Sequence, residues 1–215
     1  MFGLGLNIGV RDSRIKSSFL IAQKIVNRMK NLKARMFNRK ASDPRNKPDQ
    51  IFEVLELRHG RSIADIGAGG GYFCLRFAEF VGGEGKVYAI DTNPRFLEFI
   101  ERSAKERGLD NVETILASGE DLALPERSLD LVFMRNLCHH LTNRVQYFRN
   151  LRRFLKSEGR IAIVEYKRSK PFTFRGFFGH YAPRETIIEE MREAGYRVNQ
   201  EFDFLPEQSF KIFSI

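Results

Sequence analysis

The stretch Ser62-Ile-Ala-Asp-Ile-Gly-Ala-Gly-Gly-Gly-Tyr72 reads as a short apolar strand that runs into glycines and then into a helix. Glycines at that junction let the backbone turn sharply and let a ligand approach main-chain atoms that a Cβ would block. The ligand class follows from spacing. A dinucleotide fingerprint GxGxxG needs glycine at positions 67, 69 and 72, and position 72 is Tyr. The phosphate-cradling loop ending in Gly-Lys-Ser/Thr is absent too. What remains is Asp65 followed by glycines at 67, 69, 70 and 71, and a carboxylate there repels a pyrophosphate and attracts an ammonium group. The turn is expected to hold a cationic or zwitterionic ligand.

Outward from this stretch, strand and helix alternate, which predicts a parallel sheet covered on both faces. Strands are expected at residues 62–66, 86–90, 112–116, 129–134 and 160–165, and two more at 197–202 and 210–214 as a terminal pair turning through Pro206. Helices are expected at residues 72–81, 94–107, 143–155 and 183–194, with Gly108, Gly159 and Gly195 as left-handed caps behind them. The second strand ends at Asp91, where a carboxylate can accept hydrogen bonds from the two hydroxyls of a ribose. Thr92-Asn93-Pro94 behind it has the makings of a helix start.

The remainder of the chain narrows the class. With 215 residues and 42% hydrophobic content, one α/β domain plus an appendage accounts for the length. Cys74 and Cys138 form no disulfide framework and no zinc-finger spacing, so a secreted disulfide scaffold and a structural zinc module are excluded, and no metal site is expected. Residues 1–10 are too short an uncharged run to span a membrane and lack the flanks of a signal peptide; a cytoplasmic protein is expected. Charge is lopsided. Residues 1–50 hold 12 Lys/Arg against 3 Asp/Glu, a net of +9, whereas residues 51–215 hold 24 of each. That is a basic arm on a neutral body, and not a uniformly basic nucleic-acid-binding domain. Within the arm, residues 14–36 space Ile15, Phe19, Ala22, Val26 and Met29 as one helical stripe with basic residues over most of the rest. The stripe suits a helix packed on the main domain, and also suits docking on a membrane surface or an anionic polymer. Residues 41–49 read as a loop, and Pro48 as the first turn of a helix reaching about residue 58.

Taken together, Ala64-Asp-Ile-Gly-Ala-Gly-Gly-Gly-Tyr72, Val87-Tyr-Ala-Ile-Asp91, Glu120-Asp-Leu-Ala-Leu-Pro125, Ser128-Leu-Asp-Leu-Val132 and Asn136-Leu-Cys-His-His140 resemble the successive motifs of class I S-adenosylmethionine-dependent methyltransferases. Within that class they are most similar to the small-molecule branch that includes the ubiquinone/menaquinone C-methyltransferases. The resemblance covers residues 48–215, which divides the chain into a basic helical extension, residues 1–47, and a methyltransferase domain. It implies an α/β fold, a Rossmann-like doubly wound sheet of seven mostly parallel strands in the order 3-2-1-4-5-7-6, with the last strand antiparallel. S-adenosyl-L-methionine is the implied cofactor. Asp65, Gly67, Ala68 and Gly69 would line its methionine end, Asp91 and Thr92 its ribose, and Ser118, Gly119 and Glu120 its adenine; Arg135 and Asn136, with Leu137, would close beneath it. At Ser118 the family usually carries Asp, so the adenine acceptor passes to Ser118 itself or to Glu120 or Asp121, and a single hydrogen bond of about 1 kcal/mol is at stake.

Methyl transfer from a sulfonium is an in-line displacement with a leaving group already activated, so a dedicated base is optional. His139, His140 and Tyr166 are the candidate catalytic residues: each falls at the carboxyl edge of the sheet, where such folds bind ligands. For the histidines the alternatives are packing and backbone hydrogen bonding, or service as general base. Phe172, Phe174, Phe177, Phe178 and Tyr181 crowd the connection behind strand five, either as a lid packed on the core or as an aromatic wall for a lipophilic acceptor. The leading expectation is methylation of a small or lipophilic acceptor. RNA-directed methylation through the basic arm and a non-catalytic S-adenosylmethionine-binding module are the alternatives. Oligomeric state is open.

Overall fold

Residues 31–118, 122–167 and 182–215 are described in the computed structural model of the chain. Strand β1 (Ser62–Ile66) is buried from Ile63 onward, because apolar side chains leave both faces of it and both faces are covered. It pairs in parallel with β2 (Lys86–Asp91) on one side and β4 (Leu129–Arg135) on the other. β3 (Val112–Leu116) extends the sheet beyond β2, and β5 (Leu155–Tyr166) beyond β4. The terminal hairpin of β6 (Arg197–Phe202) and β7 (Gln208–Ser214) adds to β5 through an antiparallel β7, giving the order β3-β2-β1-β4-β5-β7-β6. This is the seven-stranded mixed sheet that the motifs implied.

Alternate residues of the strands feed two cores. Ala64, Ile66, Tyr88, Ile90, Val132 and Met134 face one side, where α5 (Arg144–Leu151) and α6 (Arg184–Glu193) supply Phe148, Leu151, Ile187 and Met191. Ile63, Val87, Ala89, Leu131, Phe133 and Val164 face the other, covered by α2 (Pro48–Val54), α3 (Tyr72–Val81) and α4 (Pro94–Glu106) through Ile51, Phe77 and Ile100. The register gives the consequence for function: β1, β2 and β4 all end at the same edge of the sheet, and their loops meet there.

Several elements depart from the expected bounds, among them the helix opened by Pro48, which stops at Val54 and not near residue 58. The helix expected over residues 143–155 stops at Leu151, passes through a 3-10 turn at Arg152–Phe154, and β5 starts at once from Leu155. Gly159 is therefore inside a strand and caps no helix. A Cβ on it would lie 2.9 Å from the Leu129 carbonyl oxygen, where β4 and β5 shift register, so its missing side chain permits a close strand approach. In the arm, helix α1 (Leu32–Ala41) runs past position 36 and ends before Asp43 caps a 3-10 turn at Pro44–Asn46. Residues 14–30 of the expected arm helix lie outside the described residues, as do Gly119, Glu120 and Asp121 and the aromatic connection at 168–181.

Candidate active site at the carboxyl edge of the sheet

The turn behind β1 is built by backbone bonds to β2. Gly67 and Ala68 donate their N–H groups to the Ile90 carbonyl at 2.8 and 3.1 Å, and Gly71 N–H closes the turn on Ala68 O at 2.8 Å. Gly67 has φ +76°, a value that L side chains avoid, and a Cβ there would also press within 3.2 Å of Leu137 in the loop after β4. The Asp91 carboxylate accepts from Gly69 N–H and from Asn93 N–H, both at 2.9 Å, which fixes it at the tip of β2 against the glycine turn. Thus Asp65, Gly67, Ala68, Gly69, Asp91 and the Arg135–Leu137 loop come together at the carboxyl ends of β1, β2 and β4. Thr92 and Ser118 are exposed on the β2–β3 side, with Ala117 N–H bonded to Asp91 O at 3.0 Å.

Charge at this junction is unbalanced. Asp65 is 4% exposed, and burial raises its carboxyl from 3.8 to about 7; the Cys74 N–H and the Arg135 charge oppose that shift and the Asp91 carboxylate adds to it. A buried carboxyl held that high has less compensating positive charge than its ionised form needs, and a ligand cation beside it would supply it. Burial also depresses the Arg135 guanidinium, which stacks over the Phe73 ring at 5.2 Å and makes long contacts to Ala41 O (3.5 Å) and Gln208 Oε1 (3.4 Å). Asn136 is held at φ +54°, its side-chain oxygen accepting from Gln208 Nε2 at 2.6 Å. A non-glycine residue so constrained at a strand end is typical of a functional loop.

The 3-10 turn Cys138–His140 follows, and one ring of its histidine pair has a carboxylate partner. His139 Nδ1 lies 2.9 Å from Glu165 Oε1, an oxygen that also accepts from Tyr166 N–H at 2.9 Å. In a neutral ring whose Nδ1–H donates to Glu165, Nε2 is the nitrogen that carries the lone pair. Glu165 is fully buried, and the His139 and His140 rings pack 4.1 Å apart. Tyr166 ends β5, 9% exposed, with the Lys40 ammonium 5.3 Å from its ring. Among the described residues, Arg135 Nε and Glu165 Oε2 are buried polar atoms without a hydrogen-bond partner, and both belong to this edge.

Two contributors had no signal in the motifs. Glu165 lies 26 positions from His139 and meets it because parallel pairing sets Arg135 beside Val164. Helix α1 lies against the glycine turn: Asn38 Nδ2 donates to Gly70 O at 2.7 Å, and a Cβ on Gly70 would collide with the Ala34 carbonyl and the Asn38 side chain. Phe37 covers Gly69. Among the described residues no three His, Cys, Asp or Glu side chains gather in a metal-holding group, and no helix is long and apolar enough to cross a membrane.

The fold is that of a Rossmann-like α/β protein, a class that binds ligands outside the carboxyl ends of the sheet's strands. A family profile described as a methyltransferase domain matches residues 57–201, and the chain belongs to that family. Among curated proteins it is 27% identical over 140 residues to the uncharacterized methyltransferase YcgJ of Bacillus subtilis strain 168, covering 65% of this chain and 49% of YcgJ. It is 33% identical over 116 residues to the ubiquinone/menaquinone biosynthesis C-methyltransferase UbiE of Hahella chejuensis, covering 54% of this chain and 46% of that protein. The chain thus spans about half the length of these curated relatives. Among solved structures, a SAM-dependent methyltransferase from Aquifex aeolicus superposes with a TM-score of 0.76 at 21% identity, over 84% of this chain and 95% of that one. The [4+2]-cyclase SpnF superposes with a TM-score of 0.64 at 16% identity, over 77% and 79%. These likenesses establish the fold, which hosts more than one chemistry.

Proposed function

We propose that the chain is an S-adenosyl-L-methionine-dependent methyltransferase acting on a small, lipophilic acceptor. The observation that carries the reading is the Gly69–Asp91 hydrogen bond, which joins the glycine turn and the β2 carboxylate into one cradle. Family membership, the curated relatives and the unbalanced charge at Asp65 support the same donor. The donor supplies an activated methyl group on a sulfonium. Asp65, Gly67, Ala68 and Gly69 line its methionine end, with Asp65 opposite the ammonium. Asp91 has lone pairs left beyond its two backbone bonds for the ribose hydroxyls, and Thr92 lies beside it. Ser118 borders the adenine. Arg135 and Asn136 close the floor.

On the acceptor side, Glu165 orients His139 so that Nε2 can take the proton of an acceptor hydroxyl or acidified carbon. His140 and Tyr166 shape the entrance. Such a positioned base contributes on the order of 10²–10⁴ in rate. The buried setting and the relative named UbiE support a lipophilic acceptor.

The test combines calorimetric titration with S-adenosylhomocysteine and a screen of quinol, phenol and amine acceptors with radiolabelled donor. Wild type is expected to bind the nucleoside and label at least one acceptor. His139→Gln should lower turnover by ~10²-fold or more while leaving nucleoside affinity within about threefold. No binding at millimolar nucleoside would falsify the reading.

A further inference from the structure

We propose that the outward face of α1 docks on an anionic lipid surface. The inward face of α1 is spoken for: Ala34 is buried, Phe37 covers Gly69, and Asn38 bonds Gly70. The opposite face presents Leu32 and Met36, one helical turn apart and 68% and 55% exposed, two of the most exposed large apolar side chains among the described residues. Around them stand Lys33, Arg35, Arg39 and Lys40, and Leu32–Ala41 contains no acid. The whole net charge of +9 falls in the first fifty residues, and the sequence before α1 continues the same mixture, with Phe19, Leu20, Ile21, Ile25 and Val26 among Lys16, Lys24, Arg28 and Lys30.

A lipid headgroup layer accepts both halves of this pattern: anionic phosphates take the cations, and the acyl boundary takes the apolar side chains. A nucleic acid satisfies the cations and leaves Leu32 and Met36 in water, so the lipid surface is the partner the face fits. The position of α1 gives docking a consequence. Its last turn reaches the carboxyl edge through Lys40 over Tyr166 and Ala41 O at Arg135. A bilayer against the outward face of α1 therefore lies one helix away from the carboxyl edge of the sheet. Docking itself does not depend on the transfer reaction.

The experiment is flotation of the full chain with vesicles of equimolar phosphatidylcholine and phosphatidylglycerol, against vesicles of phosphatidylcholine alone. Binding is expected to be at least ~10-fold stronger on the anionic vesicles and to weaken with salt. Leu32→Ser/Met36→Ser keeps every charge and should lower that binding ~10-fold, and Lys33→Gln/Arg39→Gln should reduce the anionic preference several-fold. Both variants change exposed positions, so S-adenosylhomocysteine affinity and melting temperature should match wild type. That readout separates failure of docking from failure of the methyltransferase reading. Equal binding to both vesicle types, an unchanged Leu32→Ser/Met36→Ser variant, or binding to a single-stranded RNA with none to either vesicle each overturns the proposal.

Discussion

A carboxyl group with only 4% of its surface in water and a second carboxylate nearby resists ionisation until about neutrality, which is the situation of Asp65. Its value when folded, about 7, lies above its ordinary 3.8, so its contribution to stability is complete below about 4 and is lost as pH rises through 7. Ligand-free Asp65→Asn should accordingly gain on wild type between pH 5 and pH 8, a trend that thermal melts at those values would read directly. An ammonium ligand reverses the preference by favouring the ionised form. Nucleoside binding near pH 6.5 should release a proton from wild type and none from Asp65→Asn; calorimetry in two buffers of different ionisation enthalpy separates these. The same substitution should weaken binding by about 1.5–3 kcal/mol, or on the order of 10- to 150-fold. Unchanged affinity and no proton release would remove Asp65 from the amine.

At the scale of elements, the seating of α1 depends on Gly70 more than on any side chain. A Cβ there meets backbone, the Ala34 carbonyl, which cannot rotate away. Gly70→Ala should lift the helix from the turn and cost about 1–3 kcal/mol. Limited trypsin digestion should then cut after Arg35, Arg39 or Lys40 at least several-fold faster than in wild type. A digestion rate equal to wild type would mean that α1 is not held at Gly70. This glycine also shows how far the sequence could be read. The strand-glycine-helix pattern of residues 62–81 was legible because period and turn chemistry are local. The reason for Gly70 was not, since its neighbour lies more than thirty residues upstream in a helix whose stripe looked continuous through position 36. β5 was legible from Arg160 onward and hidden before it, because Leu155-Lys-Ser-Glu lacks the apolar run of a central strand and Gly159 mimics a helix cap. Asp65 and Asp91 were readable from their motif positions. The Glu165 partner of His139 was not, because only the β4–β5 pairing brings the two together.

Across the whole molecule, the two cores meet the site through β4. Phe133 is fully buried at the centre of that strand, paired in register with Asp65 and packed against the rings of Phe73 and Phe77 at 4.9 and 5.3 Å. Neighbours in register on adjacent strands project to the same face, so Phe133 belongs to the apolar wall that keeps water from Asp65. Phe133→Ala should therefore have two linked effects. The cavity should cost about 3–5 kcal/mol, which for a domain of this size lowers the melting temperature by roughly 6–20 °C. Water admitted beside Asp65 should also bring its carboxyl down from about 7 toward its ordinary 3.8, moving the pH of ligand-linked proton release below that of wild type. Loss of stability with an unmoved proton-release midpoint would show that the desolvation of Asp65 comes from the turn and Cys74 alone. A shift in both would tie the charge state of the site to the packing of the core on which the sheet is built.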